Sequence, residues 1–293
     1  MDYHLLTFVT VVEKKNFTRA AETLHISQSA VTLSIKVIEK EYDIKLLDRN
    51  NKYVRLTKAG EILYHHAKKI LSLYDRMNRS IEDLSHSAIG VLNIGSSYTF
   101  GEYLLPSLIS KFIDEHPLVK PNVSIRNSYR IISKLLLGEL ELGIVEAYIE
   151  HPKLHIRPFA EDEMVIIIST EHPLAMKQEV ELNELLSETW ILREEGSGVR
   201  QTINQLFSEH NFSPNELRSF GSSQIIKGSV EAGLGISILS THTIRNELEL
   251  NTLHTLRLKN ERITRNFYYV TPKMDFQPKS VDLFIEFLQN NIA

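Results

Sequence analysis

From Phe17 to Thr32 the chain reads FTRAAETLHISQSAVT, which is the pattern of two short helices joined by a tight turn. Thr18 is placed to cap the first helix and Ser27 to cap the second. The small pair Ala20-Ala21 allows the two helices to cross closely. The second helix has an apolar inward face, formed by Val31, Ile35 and Ile38. The stretch therefore predicts a helix-turn-helix.

The outward face of the second helix is polar and predicts contacts with DNA. In this motif the amino-terminal end of the second helix enters the major groove. The Gln28 side chain can pair with adenine, and the hydroxyls of Ser29 and Thr32 can reach phosphates or base edges. Lys36 follows on the same side, one turn later. The alternative is a small helical bundle with ordinary polar surface residues.

Two flanking segments complete the predicted DNA-binding domain. A preceding helix is indicated by apolar residues at three- and four-residue steps, Leu5, Phe8, Val9 and Val12. Residues 45–56, KLLDRNNKYVRL, read as a strand, an Asn-Asn turn and a second strand. Such a hairpin forms a wing, whose basic residues are placed to contact the DNA backbone. The predicted DNA-binding residues are Thr18, Arg19, Ser27, Gln28, Ser29, Thr32, Lys36, Arg49, Lys52 and Arg55.

The chain of 293 residues has a net charge of −4 that is unevenly distributed. Residues 1–87 carry 14 basic and 11 acidic side chains, whereas the remainder carries 19 and 26. A basic end on an acidic body suggests that this end meets a polyanion, although charge alone fits a solvated surface equally well.

The absence of cysteine excludes disulfides, thiolate metal ligands and a cysteine nucleophile. Neither a secretion signal nor an apolar run of about 18 residues is evident, so a cytoplasmic protein without a membrane partner is expected.

Between Thr57 and Leu84 the sequence predicts a long helix with a narrow apolar stripe. Proline is absent there, and Gly60 is the only glycine. Apolar residues follow alternating four- and three-residue steps, Leu63, Ala67, Ile70, Tyr74, Met77, Ile81 and Leu84. Because so narrow a stripe needs a partner, the first six are predicted to mediate dimerisation with an identical chain. The alternative is a helix that packs on its own body.

Beyond residue 88, apolar strands alternate with helices. This order predicts an α/β domain of parallel sheets covered by helices, in one large sheet or two smaller lobes. Ligands in such folds bind beyond the carboxyl ends of strands, where helix N-termini present free N–H groups. Three such ends, residues 96–99, 194–198 and 221–223, are rich in hydroxyls or glycine. A cradle for a small anion is predicted from Ser96, Ser97, Thr99, Gly196, Ser197 and Ser223, unless these residues only cap helices.

The motifs of several enzyme classes are missing from the sequence. Gly196-Ser197-Gly198 lacks the Gly-x-Ser-x-Gly elbow, the glycines of a dinucleotide fingerprint are incomplete, and no phosphate-binding P-loop occurs. His151 and His155 are four residues apart, but Pro152 argues against a zinc-binding helix. The acidic run Glu161-Asp162-Glu163 is expected to be solvated loop charge. The sequence therefore predicts neither catalytic residues nor a metal or other cofactor.

Three motifs together resemble the winged helix-turn-helix of LysR-type transcriptional regulators. They are FTRAAETL at residues 17–24, SQSAVT at residues 27–32 and VRLTKAG at residues 54–60. Later segments are similar to the effector-binding domain of that family, namely LNIGSS at 92–97, YLLP at 103–106, REEGSGVR at 193–200 and VEAGLGI at 230–236. The resemblance covers essentially the whole chain. The family frequently has Arg or Lys after the residue matched by Thr32 and uses it on DNA, whereas this chain has Leu33.

The resemblance implies both an architecture and a site. The implied domains are a winged helix-turn-helix at 1–57, a dimerising linker helix at 58–87 and an effector-binding domain at 88–293. The last domain would form two periplasmic-binding-protein-like lobes, one of residues 90–162 and 267–293 and the other of residues 163–266. The effector would lie between these lobes, against Ser97, Thr99, Ser197 and Ser223.

The sequence thus predicts a LysR-type regulator, a homodimer or homotetramer, that binds double-stranded DNA at an interrupted inverted repeat. It is expected to respond to a small polar or anionic effector. Binding would change the closure of the two lobes and hence the arrangement of the DNA-binding heads. The alternative hypothesis is a cytoplasmic small-molecule-binding module whose basic end docks on a protein.

Overall fold

Three helices and a two-stranded hairpin form the amino-terminal part of the computed structural model, which describes residues 3–49, 54–85 and 89–292. In chain order the elements are α1 (Tyr3–Lys14), α2 (Phe17–Leu24), α3 (Gln28–Glu41), β1 (Leu47–Arg49), β2 (Val54–Leu56) and the long α4 (Lys58–Ser85). The strands β1 and β2 are antiparallel, with Leu47 opposite Leu56. The predicted helix-turn-helix with its wing is therefore confirmed.

The core of this first unit is formed by side chains from all four helices and both strands. Phe8 of α1 and Ile35 of α3 are fully buried, and Ala20 lets α2 pack closely against them. One charged side chain also lies inside. Glu39 of α3 is 6% exposed, and its Oε1 accepts the N–H of Leu46 at 2.9 Å. This bond ties the start of the wing to α3.

The ends of the two short helices differ from the prediction at one position. Asn16, not Thr18, caps α2, because its extended backbone lets Oδ1 accept the N–H of Arg19 at 2.9 Å. His25 then adopts a left-handed conformation, with a φ of 55°, which ends the helix. Ser27 caps α3 as predicted and accepts the N–H of Ala30 at 3.2 Å.

The second unit consists mainly of the residues from 89 onward and alternates strands with helices. Its strands are β3 (Gly90–Ser96), β4 (Val119–Ile125), β5 (Leu142–Val145), β6 (Leu154–Ser169), β7 (Glu179–Val180), β8 (Thr189–Arg193), β9 (Glu216–Phe220), β10 (Ser237–Ser240), β11 (Leu253–Leu258) and β12 (Ile263–Pro272). Its α-helices are α5 (Tyr98–Tyr103), α6 (Leu105–Glu115), α7 (Ser128–Leu137), α8 (Gly198–Glu209), α9 (Ser223–Glu231), α10 (Arg245–Glu249) and α11 (Lys279–Asn291).

The main sheet of this unit is mixed rather than parallel. Its strand order is β4-β3-β5-β12-β6-β11-β7, and β10 also pairs with β6. The strands β4 and β5 are parallel to β3, and β8 and β9 form a separate parallel pair. The prediction of parallel sheets is wrong for β10, β11 and β12, which all run antiparallel to β6. The first ten residues of the long β6 are half polar or charged, so local sequence indicates a strand only in its apolar second half, from Met164.

Two hydrophobic regions in this unit confirm the two-lobed fold. One core combines Phe100, Phe112 and Ile144 with Phe284 of α11, while the other is built around Trp190 and the apolar end of β6. The β6–β12 pair runs through both lobes, and its register shifts between Phe267 and Tyr268. Among the described residues, no helix is long and apolar enough to cross a membrane.

Candidate functional site

The outward face of α3 carries the polar residues predicted to contact DNA. Gln28, Ser29 and Lys36 are exposed, and Thr32 is half-buried. The Thr32 hydroxyl donates to the carbonyl of Gln28 at 3.0 Å, which leaves only its acceptor lone pairs for a further hydrogen bond. Thr18, Arg19, Ser27 and, on the wing, Arg55 are also exposed. Arg49 ends β1 opposite Val54, whereas Lys52 lies outside the described residues.

The predicted dimerisation stripe of α4 divides into two parts. Ala67 is fully buried and Leu63 partly buried, and both belong to the core of the first unit. These two residues therefore face their own domain, because the amino-terminal half of α4 closes the helix-turn-helix core. The remaining four stay exposed, with relative exposures of 52% for Ile70, 36% for Tyr74, 46% for Met77 and 58% for Ile81.

In the second unit, the hydroxyls predicted to bind an effector lie where β3 meets α5. Ser96, Ser97 and Thr99 are all almost completely buried. The Ser97 hydroxyl donates to Oε1 of Glu146 at 2.7 Å, and the N–H of Phe100 reaches the same oxygen at 3.3 Å. The Ser96 hydroxyl makes only a local bond to the carbonyl of Ser97, at 3.3 Å. A carboxylate of the protein thus already occupies donors at this strand end.

A buried charge cluster lies beside these hydroxyls. Arg265 of β12 donates to Thr99 Oγ1 at 3.1 Å and contacts Asp162 at 2.7 Å and Glu146 at 3.2 Å. Asp162 is fully buried and accepts the Ser240 hydroxyl at 2.6 Å. Burial raises the pKa of Asp162, against the opposing effect of the Arg265 guanidinium. The expectation of solvated loop charge at Glu161-Asp162-Glu163 is wrong, because this run lies in β6 and points Asp162 inward.

A second buried guanidinium lies at the end of β8. Arg193 is 1% exposed and contacts both carboxylate oxygens of Glu194, at 2.8 and 3.1 Å. It also donates to the Ser223 hydroxyl at 3.4 Å, and its Cζ lies 4.6 Å from the ring centre of Tyr98 in the other lobe. Burial raises the pKa of the Glu194 carboxyl, but the hydrogen bonds from Arg193 outweigh this and hold that pKa below its ordinary value.

The loop before α8 meets the first lobe closely. The N–H of Tyr129 donates to the carbonyl of Gly196 at 3.3 Å, and a Cβ on Gly198 would lie 2.9 Å from the backbone nitrogen of Ala147. Ser197 begins α8 without a side-chain capping bond, and it is 4% exposed. Across the interface, the Ser128 hydroxyl is buried and has no hydrogen-bond partner within the described part of the chain. Polar groups able to take a ligand therefore remain at this junction.

A third cross-lobe contact is made by Lys227 of α9, which is 3% exposed. Its ammonium group pairs with Glu247 at 2.6 Å and donates to the carbonyl of Thr243 at 2.9 Å. It also reaches the hydroxyl of Tyr103 in the other lobe at 3.2 Å. The short helix α5 thus contacts cationic side chains of the second lobe at both of its ends, through Tyr98 and Tyr103.

The predicted effector residues lie along this contact between the lobes, but sequence reasoning missed its charged members. Glu146 and Arg193 were missed because each stands at the end of an apolar strand and resembles an ordinary strand terminus. Arg265 was missed because it precedes the apolar run of β12. The signal was present at Glu146 and Arg193, where LGIV and TWIL each run directly into a charge. Across the ranges that the structure covers, no group of three His, Asp or Glu side chains is arranged to hold a metal ion.

Comparisons with known proteins agree with this architecture. Residues 3–61 match the family described as "Bacterial regulatory helix-turn-helix protein, lysR family", and residues 85–293 match "LysR substrate binding domain". The HTH-type transcriptional regulator CysL of Bacillus subtilis (strain 168) is 35% identical over 98% of this chain and 96% of its own. Full-length CbnR, solved with its target DNA, has a TM-score of 0.74 at 21% identity and covers 98% of each chain. The CcmR regulatory domain of Synechocystis PCC6803, solved with 2-PG, has a TM-score of 0.62 at 29% identity, over 69% of this chain and 96% of that domain.

Proposed function

This chain belongs to the LysR family of bacterial regulatory helix-turn-helix proteins, and we propose that it couples DNA binding to the sensing of a small polar anion. The proposed domains are the winged helix-turn-helix at 1–57, the linker helix at 58–87 and the effector domain at 88–293. Within the last, we assign residues 90–162 and 267–293 to one lobe and 163–266 to the other. The proposed role is binding rather than catalysis, in the cytoplasm where DNA is accessible.

For DNA, the proposed contacts are made by α3 in the major groove and by the wing on the phosphate backbone. The exposed Gln28, Ser29 and Lys36 support this role, since they combine base-edge hydrogen bonding with a positive charge. The exposed apolar residues of α4 support pairing of two chains, and a pair of such dimers would give a tetramer. Two reading heads then favour an interrupted inverted repeat. Selection of bound duplexes from a randomised library by the full-length protein tests this arrangement.

For the effector, the proposed site lies between the lobes, where the β3–α5 junction and the start of α7 face the loop before α8. The single observation that carries this proposal is the unsatisfied buried hydroxyl of Ser128 beside a loop whose Ser197 hydroxyl makes no capping bond. Neutral hydroxyls and helix N–H groups are suited to an oxyanion such as a carboxylate or phosphate. The complex of the similar CcmR domain with 2-PG gives a first probe of that class.

A thermal-shift titration of the full-length protein with 2-PG, phosphate, sulfate and shikimate tests the proposed site. A ligand that binds the folded protein raises its free energy of unfolding by RT ln(1 + [L]/Kd). We expect at least one of these probes to raise the Tm of the wild type, with little shift in the double variant Ser128→Ala/Ser197→Ala. Ser208→Ala changes an exposed serine on the same helix as Ser197 and should respond like the wild type. An equal shift in the double variant would contradict the assigned site.

The alternative, a sensory module that acts through a protein partner, predicts a different behaviour of the basic end. Contacts with DNA phosphates release counterions, and the affinity then falls steeply with salt. A protein-docking surface carries no such requirement. If library selection enriches no DNA sequence while the thermal shifts persist, the sensory module is favoured over the regulator.

A further inference from the structure

Leu33 lies on the outward face of α3, where it makes an unusual surface. It is 63% exposed, although it is a large apolar side chain on a helix whose neighbouring outward residues are mostly polar. Val37, one turn further along the same face, is 38% exposed and extends it into a short apolar ridge. Neither side chain belongs to the core of the first unit among the residues that the structure describes.

Helical geometry places Leu33 near the centre of the exposed face. The buried residues of α3 are Val31, Ser34, Ile35, Ile38 and Glu39. With about 100° of rotation per residue, the direction opposite the middle of this buried arc passes within roughly 20° of Leu33. Gln28, Thr32, Lys36 and Ser29 all lie on one side of Leu33, with Ser29 and Lys36 nearer to it. Val37 lies on the other side. A surface that packs against the exposed side of α3 is therefore met by Leu33.

We propose that Leu33 is a specificity residue that reads the C5-methyl group of thymine in the major groove. The proposal rests on the proposed function, in which this face of α3 enters that groove. A leucine side chain offers no hydrogen-bond donor or acceptor, and burying a base-edge polar atom against it would leave that atom unpaired. Of the groups that bases present in the major groove, the thymine methyl is the apolar one.

With this contact, different residues of α3 recognise different groups of the DNA. Gln28 and Ser29 can bond base edges or phosphates near the start of the helix, while Leu33 packs on a methyl one turn later. Lys36 adds charge without base discrimination. The half-site therefore contains at least one thymine whose methyl group, rather than its hydrogen-bonding pattern, is recognised.

Deoxyuridine provides the direct test, because it differs from thymidine only by this methyl group. The full-length protein is first given a duplex obtained by library selection, and each thymine of one half-site is then replaced singly by deoxyuridine. Removing one buried methyl contact is expected to weaken wild-type binding by about fourfold at one position. The same replacement should change the affinity of Leu33→Ala by less than about 1.5-fold, because this variant lacks the side chain that packs on the methyl group.

Two further variants keep the result interpretable. Leu33→Met retains an apolar side chain of similar volume and should keep most of the thymine preference. Lys36→Ala should weaken binding to thymine and deoxyuridine duplexes equally. The proposal would be overturned if no single replacement of thymine by deoxyuridine weakened wild-type binding. It would also be overturned if Leu33→Ala kept the full preference for thymine over deoxyuridine. If Leu33→Ala alters only self-association, that also overturns it. Failure of the proposed function itself would appear earlier, as the absence of any selected DNA sequence.

Discussion

The Glu146 carboxylate accepts the Ser97 hydroxyl at 2.7 Å, and both side chains are more than nine-tenths buried. Ser97 is one of the residues predicted from sequence to bind an anionic effector. In this structure its donor is satisfied by the protein's own carboxylate, which also pairs with Arg265 at 3.2 Å. Glu146 therefore stands at the position where it would repel or compete with a second anion between the lobes.

Replacing Glu146 by Gln should tighten the binding of anionic probes. The amide oxygen can still accept from Ser97, while the negative charge is removed. Two like charges in contact repel by about 4 kcal/mol at an effective dielectric constant of about 20, and a longer separation or partial screening reduces this. We expect the Kd for 2-PG to fall by roughly tenfold in Glu146→Gln, measured by titration calorimetry. Glu150→Gln, at an exposed position, serves as control, and equal affinities in both variants would contradict this role.

The ion pair between Arg193 and Glu194 should give stability a defined dependence on pH. Hydrogen bonds from Arg193 hold the pKa of Glu194 below its ordinary value of 4.5. A carboxyl whose pKa is lowered by folding stabilises the native state above the unfolded pKa, and this contribution is lost as pH falls through the folded pKa. We expect Glu194→Gln to be less stable than the wild type at pH 7. Urea unfolding at pH 7 and at pH 4 should show this difference shrinking with acid, and a constant difference would contradict the assignment.

Two helical glycines should respond oppositely to alanine. A Cβ at Gly60 would lie 2.0 Å from the carbonyl oxygen of Leu46, so α4 and the wing would have to separate. We expect Gly60→Ala to lower the free energy of unfolding by more than about 2 kcal/mol. At Gly228 of α9 a Cβ would meet nothing within 4 Å. Gly228→Ala should therefore be neutral or stabilise by up to about 1 kcal/mol, as chemical denaturation can measure.

The exposed part of the α4 stripe should control self-association. Glutamate at Ile70 and Met77 would place charges in an apolar contact between two chains. The double variant Ile70→Glu/Met77→Glu is expected to weaken the dimer at least a hundredfold in sedimentation experiments. His65→Glu changes an exposed position on the opposite side of the helix and should leave association intact. Unchanged association in the double variant would place the interface elsewhere.

Regular local patterns allowed much of this fold to be predicted from the sequence. The helix-turn-helix follows from apolar spacing and the Ser27 cap, and β5 follows from a run of four apolar or small residues. The cap at Asn16 was missed because two candidate capping residues stand close together, and only the backbone conformation selects between them. Ala67 fits a heptad stripe equally well whether it faces a second chain or its own core, so its burial could not be predicted.

The candidate effector site was predicted in outline but not in its charges. Ser97, Thr99, Ser197 and Ser223 were found from strand ends, which local sequence indicates. Asp162 and Arg265 are 103 residues apart, and their pairing depends on the antiparallel register of β6 and β12. The segment 154–163 mixes five apolar with five polar or charged residues and contains Pro158, so it resembles a loop until its partner strand is known. The charged part of the site therefore depends on the pairing of distant strands, which local sequence patterns do not show.

The most direct test of the central claim is the affinity of the full-length protein for its selected DNA duplex, measured as a function of salt. A regulator whose α3 and wing contact phosphates should show a linear fall of log Kobs with log salt concentration, at a slope of about −0.9 for each phosphate contact. Lys36→Ala should make that slope less steep by about 0.9, the value of one phosphate contact, while the selected sequence stays the same. Association with DNA that does not change with salt, or a slope unaffected by loss of these basic side chains, would contradict the assignment of the amino-terminal unit as the DNA-binding domain.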